Sequence, residues 1–232
     1  MRLIIVRHGE PNYQKDCLTP LGEEQAVIAA QRLKDEGITD IYSSPMGRAL
    51  ATARPTAELL GIRDIRILDF IHEINWDNLT DKPLHADGHP WTTADDMVRD
   101  GWNLASPGWE EHPFWAGNNA VNCAKYVEKE GDKWLASLGY RREGAHYVNE
   151  CSMPDHRNIA IFCHDGSSSA FIAHMLNLPF PYVCTVFHLT FTGITILTFD
   201  PEPGSIFLPG IEIACDGRHL PKQASATPVK WR

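Results

Sequence analysis

The chain has 232 residues, 43% of them hydrophobic, and a formal net charge of −9 from 30 acidic and 21 basic side chains. This length allows one large or two small domains, and we favour a single domain over residues 1–232 that carries an insertion. The acidic balance argues against a nucleic-acid or anionic-membrane partner, so an anionic substrate would need a local cationic pocket.

Cysteine usage and hydropathy bear on the compartment. The six cysteines include no Cys-x-x-Cys pair, and a chain of this length does not depend on a disulfide framework, so we expect reduced thiols. The apolar run before Arg7 is too short for the core of a signal peptide, and no run approaches the length of a membrane span. These features predict a soluble, cytoplasmic protein. The sequence gives no indication of its oligomeric state.

The first predicted strand is the apolar run Leu3–Val6, which delivers Arg7-His8-Gly9-Glu10. An unbroken run of this kind is typical of a strand buried on both faces of a parallel sheet. Open α/β sheets bind ligands beyond the carboxyl ends of such strands, so Arg7 and His8 are well placed for chemistry. Taken alone, the tripeptide Arg7-His8-Gly9 is also compatible with an ordinary strand–loop junction, so it decides little.

Helices and strands then alternate, which predicts right-handed α/β units. The first helix begins after Thr19 as N-cap, with Pro20 at its first position. Arg48 lies on the second helix, and Glu73 lies just past the third strand. The predicted elements are a helix from Pro20 to about Glu36 that stops at Gly37, a strand over Thr39–Tyr42, a helix from Ser43-Ser44-Pro45 to Gly61, and a strand over Ile65–Leu68.

Residues 75–118 lose this alternation. The stretch holds five tryptophans and eight acidic side chains against only Lys82 and Arg99. A long irregular connection in a compact domain is commonly a lid or binding loop, so we predict a Trp-rich lid. The alternative, which we weigh almost equally, is a small helical subdomain whose tryptophans only pack.

The second half of the chain repeats the geometry of the first strand. Asn158–Cys163 is the strongest buried strand in the sequence, and it leads into His164-Asp165-Gly166-Ser167 at the start of a helix. The other predicted elements are a helix from Ala120 to Leu138 before Gly139, a polar loop over Arg141–Arg157, a helix through Leu176, strands over Phe187–Thr192 and Ile194–Phe199, and a last short strand near Ile211–Cys215.

Strand ends and helix starts thus present Arg7, His8, Arg48, Glu73 and His164, which are the groups that phosphoryl transfer without a metal would use. A neutral imidazole at His8 can attack phosphorus and form a phosphohistidine. Guanidinium groups match phosphate oxygens bidentately, and a protonated His164 would add a third positive donor. Glu73 would protonate the leaving alkoxide and then deprotonate the attacking water.

These residues lie in motifs that together resemble the histidine phosphatase superfamily, also called phosphoglycerate-mutase-like. The motifs are Arg7-His8-Gly9-Glu10, Leu18-Thr19-x-x-Gly22, Ser43-Ser44-Pro45-x-x-Arg48-Ala49-x-x-Thr52-Ala53 and the later His164. The resemblance spans nearly the whole chain apart from the Trp-rich insertion. It implies a three-layer α/β/α sandwich with a mostly parallel sheet, a phosphohistidine on His8, a phosphate pocket from Arg7, Arg48 and His164, and Glu73 as general acid.

Two positions depart from the family pattern. Asp165 follows the second histidine where family members commonly have Gly, so either a carboxylate lies near the phosphate or Asp165 points away and Gly166 forms the tight turn. Gln14 stands where many relatives have Asn, and we carry Asn12 instead as a weak phosphate contact.

Other candidate sites have simpler explanations. His85 and His89 lack a third ligand, so we expect a solvated loop there, and we predict no metal and no other cofactor. The serines after Gly166 lack the nucleophile-elbow pattern and open a helix, so capping is the better account. His72 is expected to pack rather than to act as a base.

Three functions remain open: a phosphatase for small phosphate monoesters, a phosphoglycerate-type mutase, and a catalytically idle relative that binds phospholigands. The idle relative is the weakest of the three candidates, because an idle relative would be expected to have lost a charged residue of the candidate site, and none is missing. A mutase must hold a second anionic group, and the acidic insertion supplies few cations for it. The sequence therefore favours the phosphatase.

Overall fold

A computed structural model describes residues 1–221 of the chain. The strands are β1 (Arg2–Arg7), β2 (Pro11–Asn12), β3 (Cys17–Leu18), β4 (Asp40–Ser43), β5 (Ile65–Ile67), β6 (Tyr140–Glu143), β7 (His146–Asn149), β8 (Asn158–Cys163), β9 (Ile194–Thr198), β10 (Ile206–Phe207) and β11 (Gly210–Asp216). The α-helices are α1 (Pro20–Leu33), α2 (Gly47–Leu60), α3 (Pro90–Arg99), α4 (Ala120–Ser137), α5 (Asp165–Met175) and α6 (Phe180–Val186). Single 3₁₀ turns lie at Asp69–Ile71, His85–Gly88, Trp109–Glu111 and Pro113–Trp115.

The central sheet has six strands in the order β11-β9-β1-β8-β4-β5. β8 is parallel to both β1 and β4, and β4 is parallel to β5, whereas β9 is antiparallel to β1 and to β11. The register between β1 and β8 ends with Arg7 opposite Cys163. His8 and His164, the next residue of each strand, therefore leave the sheet side by side at its carboxyl edge.

Helices cover both faces of this sheet. Leu3 and Ile5 of β1 belong to a large apolar cluster that includes residues of α3, α4, α5 and α6. Ile4 and Val6 point to the opposite face, where they join a smaller cluster with residues of α1 and α2. Alternate side chains of an extended strand point to opposite faces, so the unbroken apolar run serves both layers. The fold is the three-layer α/β/α sandwich that the sequence predicts.

The first two helices follow their sequence signals closely. The Thr19 side chain accepts a hydrogen bond from the Gly22 N–H at 3.1 Å, and Pro20 is the first residue of α1. α1 ends at Leu33, a little before the predicted end at Glu36. α2 ends at Leu60 and is capped by Gly61, whose positive φ of 68° allows its N–H to donate to carbonyls of the last turn.

Two segments differ from the sequence predictions. The stretch predicted as a polar loop over Arg141–Arg157 begins with the β6–β7 hairpin, in which buried Tyr140 and Tyr147 alternate with polar neighbours. Short strands with few apolar residues give a weak sequence signal, which explains why the hairpin was not predicted.

Phe187–Thr192 is not a strand but an irregular segment, because its apolar side chains cover the core and the carboxyl edge of the sheet and its backbone does not pair with a strand. The short helix α6 was not predicted.

The Trp-rich insertion contains α3 and several 3₁₀ turns. Trp109 and Trp115 are buried and lie with their ring centroids 5.6 and 6.1 Å from that of Phe180 in α6. Trp76 and Trp91 are partly buried and meet edge to face at 6.3 Å. Core packing therefore accounts for at least two of the five tryptophans, which agrees with the alternative of a packed helical subdomain. A lid over the site stays a prediction.

Trp115 offers a test of that packing. Its side chain is only 1% exposed, and its indole N–H lies 3.0 Å from the sulfur of Met97. We expect Trp115→Ala to lower the free energy of unfolding by about 3–5 kcal/mol, because it removes a large buried ring and leaves a cavity. Urea denaturation measures this loss, with Leu79→Ala on the exposed part of the insertion as the control. A Trp115→Ala protein as stable as the control would show that the insertion is not part of the core.

The cysteines and the helices bear on the environment of the protein. All six cysteines are free thiols, with Cys163 and Cys184 buried and the others partly exposed. Among residues 1–221, no helix is both long enough and apolar enough to cross a lipid bilayer.

Candidate active site

His8 lies at the centre of the carboxyl edge and is only 1% exposed. Its Nδ1 lies 2.6 Å from the carbonyl oxygen of Gly9, and because a carbonyl only accepts, this nitrogen carries the ring proton. Burial, and next the charge of Arg7, lower the pKa of His8 to about 3. The imidazole is therefore neutral at physiological pH, with a free lone pair on Nε2.

The turn after His8 is held by close backbone contacts. A Cβ atom on Gly9 would lie 2.6 Å from the carbonyl oxygen of Gly22, and one on Gly22 would lie 2.2 Å from that of Glu10. The Gly9 N–H also donates to the Thr52 hydroxyl at 3.0 Å, and this hydroxyl donates to the carbonyl of Arg48. The two glycines and Thr52, all within the sequence motifs, thus fix the loop that carries His8 against α1 and α2.

His164 follows β8 directly and is completely buried. Its ring centroid lies 5.1 Å from that of His8, and its Nε2 lies 2.7 Å from the Ser44 hydroxyl. Burial, followed by the neighbouring His8 and arginines, lowers the pKa of His164 well below its ordinary value. The sequence prediction of a protonated His164 is therefore wrong for the unliganded site, because the cost of burying a charge dominates. A neutral ring still has one N–H to donate.

Arg7 and Arg48 bring two buried guanidinium groups to the same edge. One terminal nitrogen of Arg7, Nη1, donates to the Leu189 carbonyl and forms an ion pair with Asp165 at 3.0 Å. Nη1 of Arg48 forms an ion pair with Asp16 at 2.6 Å. Within residues 1–221, the Nε atom of each arginine is buried without a hydrogen-bond partner. Buried donors of this kind are suited to bind the oxygens of an anion.

Glu73 enters the site from the segment after the 3₁₀ turn at Asp69–Ile71. Its Oε1 accepts hydrogen bonds from the N–H groups of Ile74 and Ser167 at 3.0 and 3.2 Å. Burial, and next the charge of Asp165, raise the pKa of Glu73 to about 7, against the opposing effect of the arginines. A carboxyl group with this pKa can exchange a proton near neutral pH.

The departure from the family pattern at Asp165 is explained by the position of this residue at the start of α5. Asp165 points towards Arg7, and not away from it. Gly166 lies in the first turn of α5 rather than in a tight turn, and a Cβ atom there would lie 2.8 Å from the Glu73 carboxylate. The absence of a side chain at Gly166 therefore makes room for Glu73.

Other residues singled out from the sequence have structural roles. The Asn12 side chain accepts from the Lys15 N–H at 3.2 Å in the β2–β3 turn, and its contact with phosphate stays a prediction. His85 stacks on Phe114, and the His89 ring caps α3. Among residues 1–221, no group of three potential ligand side chains is arranged to hold a metal ion. Ser167 donates to the carbonyl of Ile71 and does not cap α5, contrary to the prediction.

Several residues of the site were missed. The hydroxyl of Ser44 supports His164, although the motif suggested only a helix start. Phe191 covers both His8 and Arg7, with its ring centroid 5.8 Å from that of His8 and 4.6 Å from the guanidinium carbon. Asp16 carries no sequence signal, because its partner Arg48 is distant in the chain.

The comparisons with known proteins agree with this geometry. Residues 3–135 match the family model described as histidine phosphatase superfamily (branch 1). The chain belongs to the histidine phosphatase superfamily. The match covers the motifs around His8 and Arg48 and also includes Glu73.

The known proteins that resemble this chain are named for different activities. A curated protein of Yersinia enterocolitica named probable phosphoglycerate mutase GpmB is 33% identical over 95 residues, which cover 37% of this chain and 44% of that protein. The chain thus matches less than half the length of this relative. A phosphoserine phosphatase from Entamoeba histolytica has a similar structure, with a TM-score of 0.61 at 22% identity over 94% of this chain and 98% of that chain.

A mycobacterial glucosyl-3-phosphoglycerate phosphatase is also similar, with a TM-score of 0.60 at 24% identity over 92% of this chain and 98% of that chain. At these identities, the structural likenesses establish the fold of the chain alone. They do not decide its substrate, since one fold supports many activities.

Proposed function

We propose that the protein is a metal-independent phosphatase that hydrolyses small phosphate monoesters through a phosphohistidine on His8. The observation that carries the proposal is the state of His8: a buried, neutral ring whose Nδ1 proton is held by the Gly9 carbonyl, so that Nε2 is free to attack. Its neighbours supply the other groups that the reaction needs.

The first half-reaction transfers the phosphoryl group to the enzyme. Nε2 of His8 attacks phosphorus while the bond from phosphorus to the ester oxygen breaks. Protonated Glu73 gives its proton to the leaving oxygen, so the product leaves as an alcohol and not as an alkoxide. The guanidinium groups of Arg7 and Arg48 stabilise the charge on the transferred group, and the neutral His164 ring can donate one N–H to it.

The second half-reaction restores the enzyme. The Glu73 carboxylate takes a proton from a water molecule, whose oxygen attacks the phosphohistidine. The bond between phosphorus and Nε2 breaks, inorganic phosphate leaves, and Glu73 is again protonated. Its pKa of about 7 lets the same group act as acid and then as base.

A phosphoglycerate-type mutase is the second candidate, because the matched curated relative has a mutase name. A mutase must hold a second anionic group of its substrate and keep water away from the phosphoenzyme. The acidic insertion has only two basic side chains, Lys82 and Arg99. Lys82 is exposed and the Arg99 side chain is 68% exposed and paired with Asp96, so neither supplies a buried cation for a carboxylate.

One assay separates the two candidates. A panel of phosphate monoesters is incubated with the protein, with and without a chelator, and release of inorganic phosphate is compared with interconversion of 2- and 3-phosphoglycerate. We expect phosphate release that the chelator does not reduce. Interconversion faster than phosphate release would identify a mutase, and loss of activity with the chelator would exclude the metal-independent mechanism.

Arg48 provides a test of the phosphate pocket. Its guanidinium is 3% exposed, and we expect Arg48→Ala to lower kcat/KM on the order of 10²-fold, as for loss of one preorganised donor. Steady-state kinetics measures the loss, and Arg66→Ala, which removes an exposed arginine of β5, is the control. Equal kinetics in Arg48→Ala and in the wild type would show that phosphate binds elsewhere.

A further inference from the structure

Each arginine of the site has its own carboxylate partner. Asp165, the first residue of α5, lies 3.0 Å from Arg7, and Asp16, from the turn between β2 and β3, lies 2.6 Å from Arg48. Asp165 is 8% exposed, and both arginines are more deeply buried. Two ion pairs from separate elements thus meet in the pocket that has to bind an anion.

Each of the two carboxylates contacts the same terminal nitrogen, Nη1, of its arginine. Asp165 contacts Nη1 of Arg7, which also donates to the Leu189 carbonyl. Asp16 contacts Nη1 of Arg48. The Nε atom of each arginine is buried without a hydrogen-bond partner in residues 1–221, so this donor remains for a ligand. The carboxylates therefore fix the orientation of each planar guanidinium.

Asp16 is held rigidly although its side chain is partly exposed. Its second oxygen, Oδ2, accepts from the Gly47 N–H at 2.6 Å, at the start of α2. A Cβ atom on Gly47 would lie 2.3 Å from the Asp16 carbonyl, so the two backbones are in close contact. Asp16 itself has a positive φ of 47°, an uncommon conformation for a residue with a side chain. The ion pair to Arg48 is therefore built into the loop.

Each buried guanidinium thus faces a carboxylate that opposes its charge. Burial raises the pKa of Asp165, whereas the neighbouring charge of Arg7 favours its carboxylate form. Burial of an arginine is costly without a counterion, so the carboxylates stabilise the empty site. They also lower the positive potential that an incoming phosphate experiences.

We propose that Asp165 and Asp16 are positioning residues that orient the two phosphate-binding arginines and limit the affinity of the site for inorganic phosphate. This inference rests on the proposed function, in which phosphate is the product. Without the two carboxylates, the arginines would bind both the phosphate group of the substrate and the released phosphate more tightly. Tighter binding of both lowers KM but slows release of the product, and it does not favour the transition state.

The test compares Asp165→Asn and Asp16→Asn with the wild type. Asparagine keeps an oxygen that can accept from Nη1 but removes the charge. Inorganic phosphate is titrated calorimetrically, and its inhibition constant is measured in the phosphatase assay. We expect phosphate to bind about 10-fold more tightly to Asp165→Asn. For the partly exposed Asp16, we expect about 3-fold tighter binding, since solvent screens its charge.

Asp64→Asn is the matched control. It makes the same change in net charge, but its side chain is 76% exposed and lies just before β5, at the opposite end of the strand from the site. We expect its phosphate affinity to equal that of the wild type. Asp165→Ala, which removes the acceptor as well as the charge, tests positioning: kcat should fall further in Asp165→Ala than in Asp165→Asn, and KM should fall in Asp165→Asn.

The outcomes separate this inference from the proposed function. Failure of the wild type to bind phosphate would contradict the proposed function itself. Phosphate binding by the wild type, with equal or weaker binding in both folded asparagine variants, would overturn the inference. Circular dichroism establishes folding, and if Asp165→Asn fails to fold, Asp16→Asn decides the question.

Discussion

Replacing His8 with alanine should abolish turnover and remove the covalent intermediate. The ring that would form the bond to phosphorus is lost. The neighbouring His164 has its ring centroid 5.1 Å from that of His8, and its Nε2 lies 2.7 Å from the Ser44 hydroxyl. We expect kcat to fall by at least about 10⁴-fold, as when the nucleophile of a covalent mechanism is removed.

The intermediate itself can be observed. The wild-type enzyme is mixed with a radiolabelled phosphate monoester and quenched, and the protein-bound label is then exposed to acid or base. A phosphohistidine is labile in acid and stable in base. His72→Ala is the control, because His72 is a partly exposed histidine that adjoins Glu73 in the chain. Label retained by His8→Ala, or a base-labile linkage in the wild type, would show that His8 is not the nucleophile.

Replacing Glu73 with glutamine should change both the rate and its pH dependence. The acid must be protonated to assist an alkyl leaving group, and its pKa of about 7 keeps it so up to neutral pH. The three charges that face it are Asp165 from α5, Arg7 from β1 and Arg48 from α2. His8, with a pKa of about 3, is neutral over the same range. kcat/KM for an alkyl phosphate should therefore fall as the pH rises through about 7.

The leaving group distinguishes proton transfer from a structural effect. We expect Glu73→Gln to slow hydrolysis of an alkyl phosphate by about 10²- to 10⁴-fold, the usual contribution of a general acid. With nitrophenyl phosphate, whose leaving group needs no proton, the rate of the first half-reaction should fall much less in Glu73→Gln. The substrate's own ionisation is common to both proteins, so the ratio of their pH profiles isolates Glu73. Equal losses with both substrates would exclude Glu73 as the acid.

The sequence was sufficient to predict the fold and the candidate site residues that the structure brings to one edge of the sheet. Leu3–Val6 and Asn158–Cys163 are unbroken apolar strands, and the residues that follow them are brought together because both strands end at one edge. Arg48 was found because Ser43-Ser44-Pro45 marks the start of its helix. Glu73 was found because it follows a strand. These are local signals, and each is carried by neighbouring residues.

The residues that adjust the site were not predictable in this way. Asp16 contacts Arg48 through the conformation of a short turn, and Asp165 was seen only as a departure from a pattern. The protonation of His164 depends on burial by several elements, which no single stretch of sequence reveals. Phe191 was placed in a strand because apolar runs that cover a site resemble runs that pair in a sheet.

The position of β1 has a consequence for how the protein is made. β1 has two neighbours in the sheet, β8 and β9, and both lie more than 150 residues later in the chain. Until Asn158–Cys163 and Ile194–Thr198 have been synthesised, Leu3–Val6 has no native strand partner, and the backbone of His8 lacks its hydrogen bonds with Cys163 and Thr192. Such non-local pairing slows folding and leaves an apolar strand exposed to aggregation in the meantime. Nascent chains of this protein should therefore be prone to aggregation until β8 and β9 have been made, and the carboxyl edge that places His8 beside His164 should form only after β8 pairs with β1.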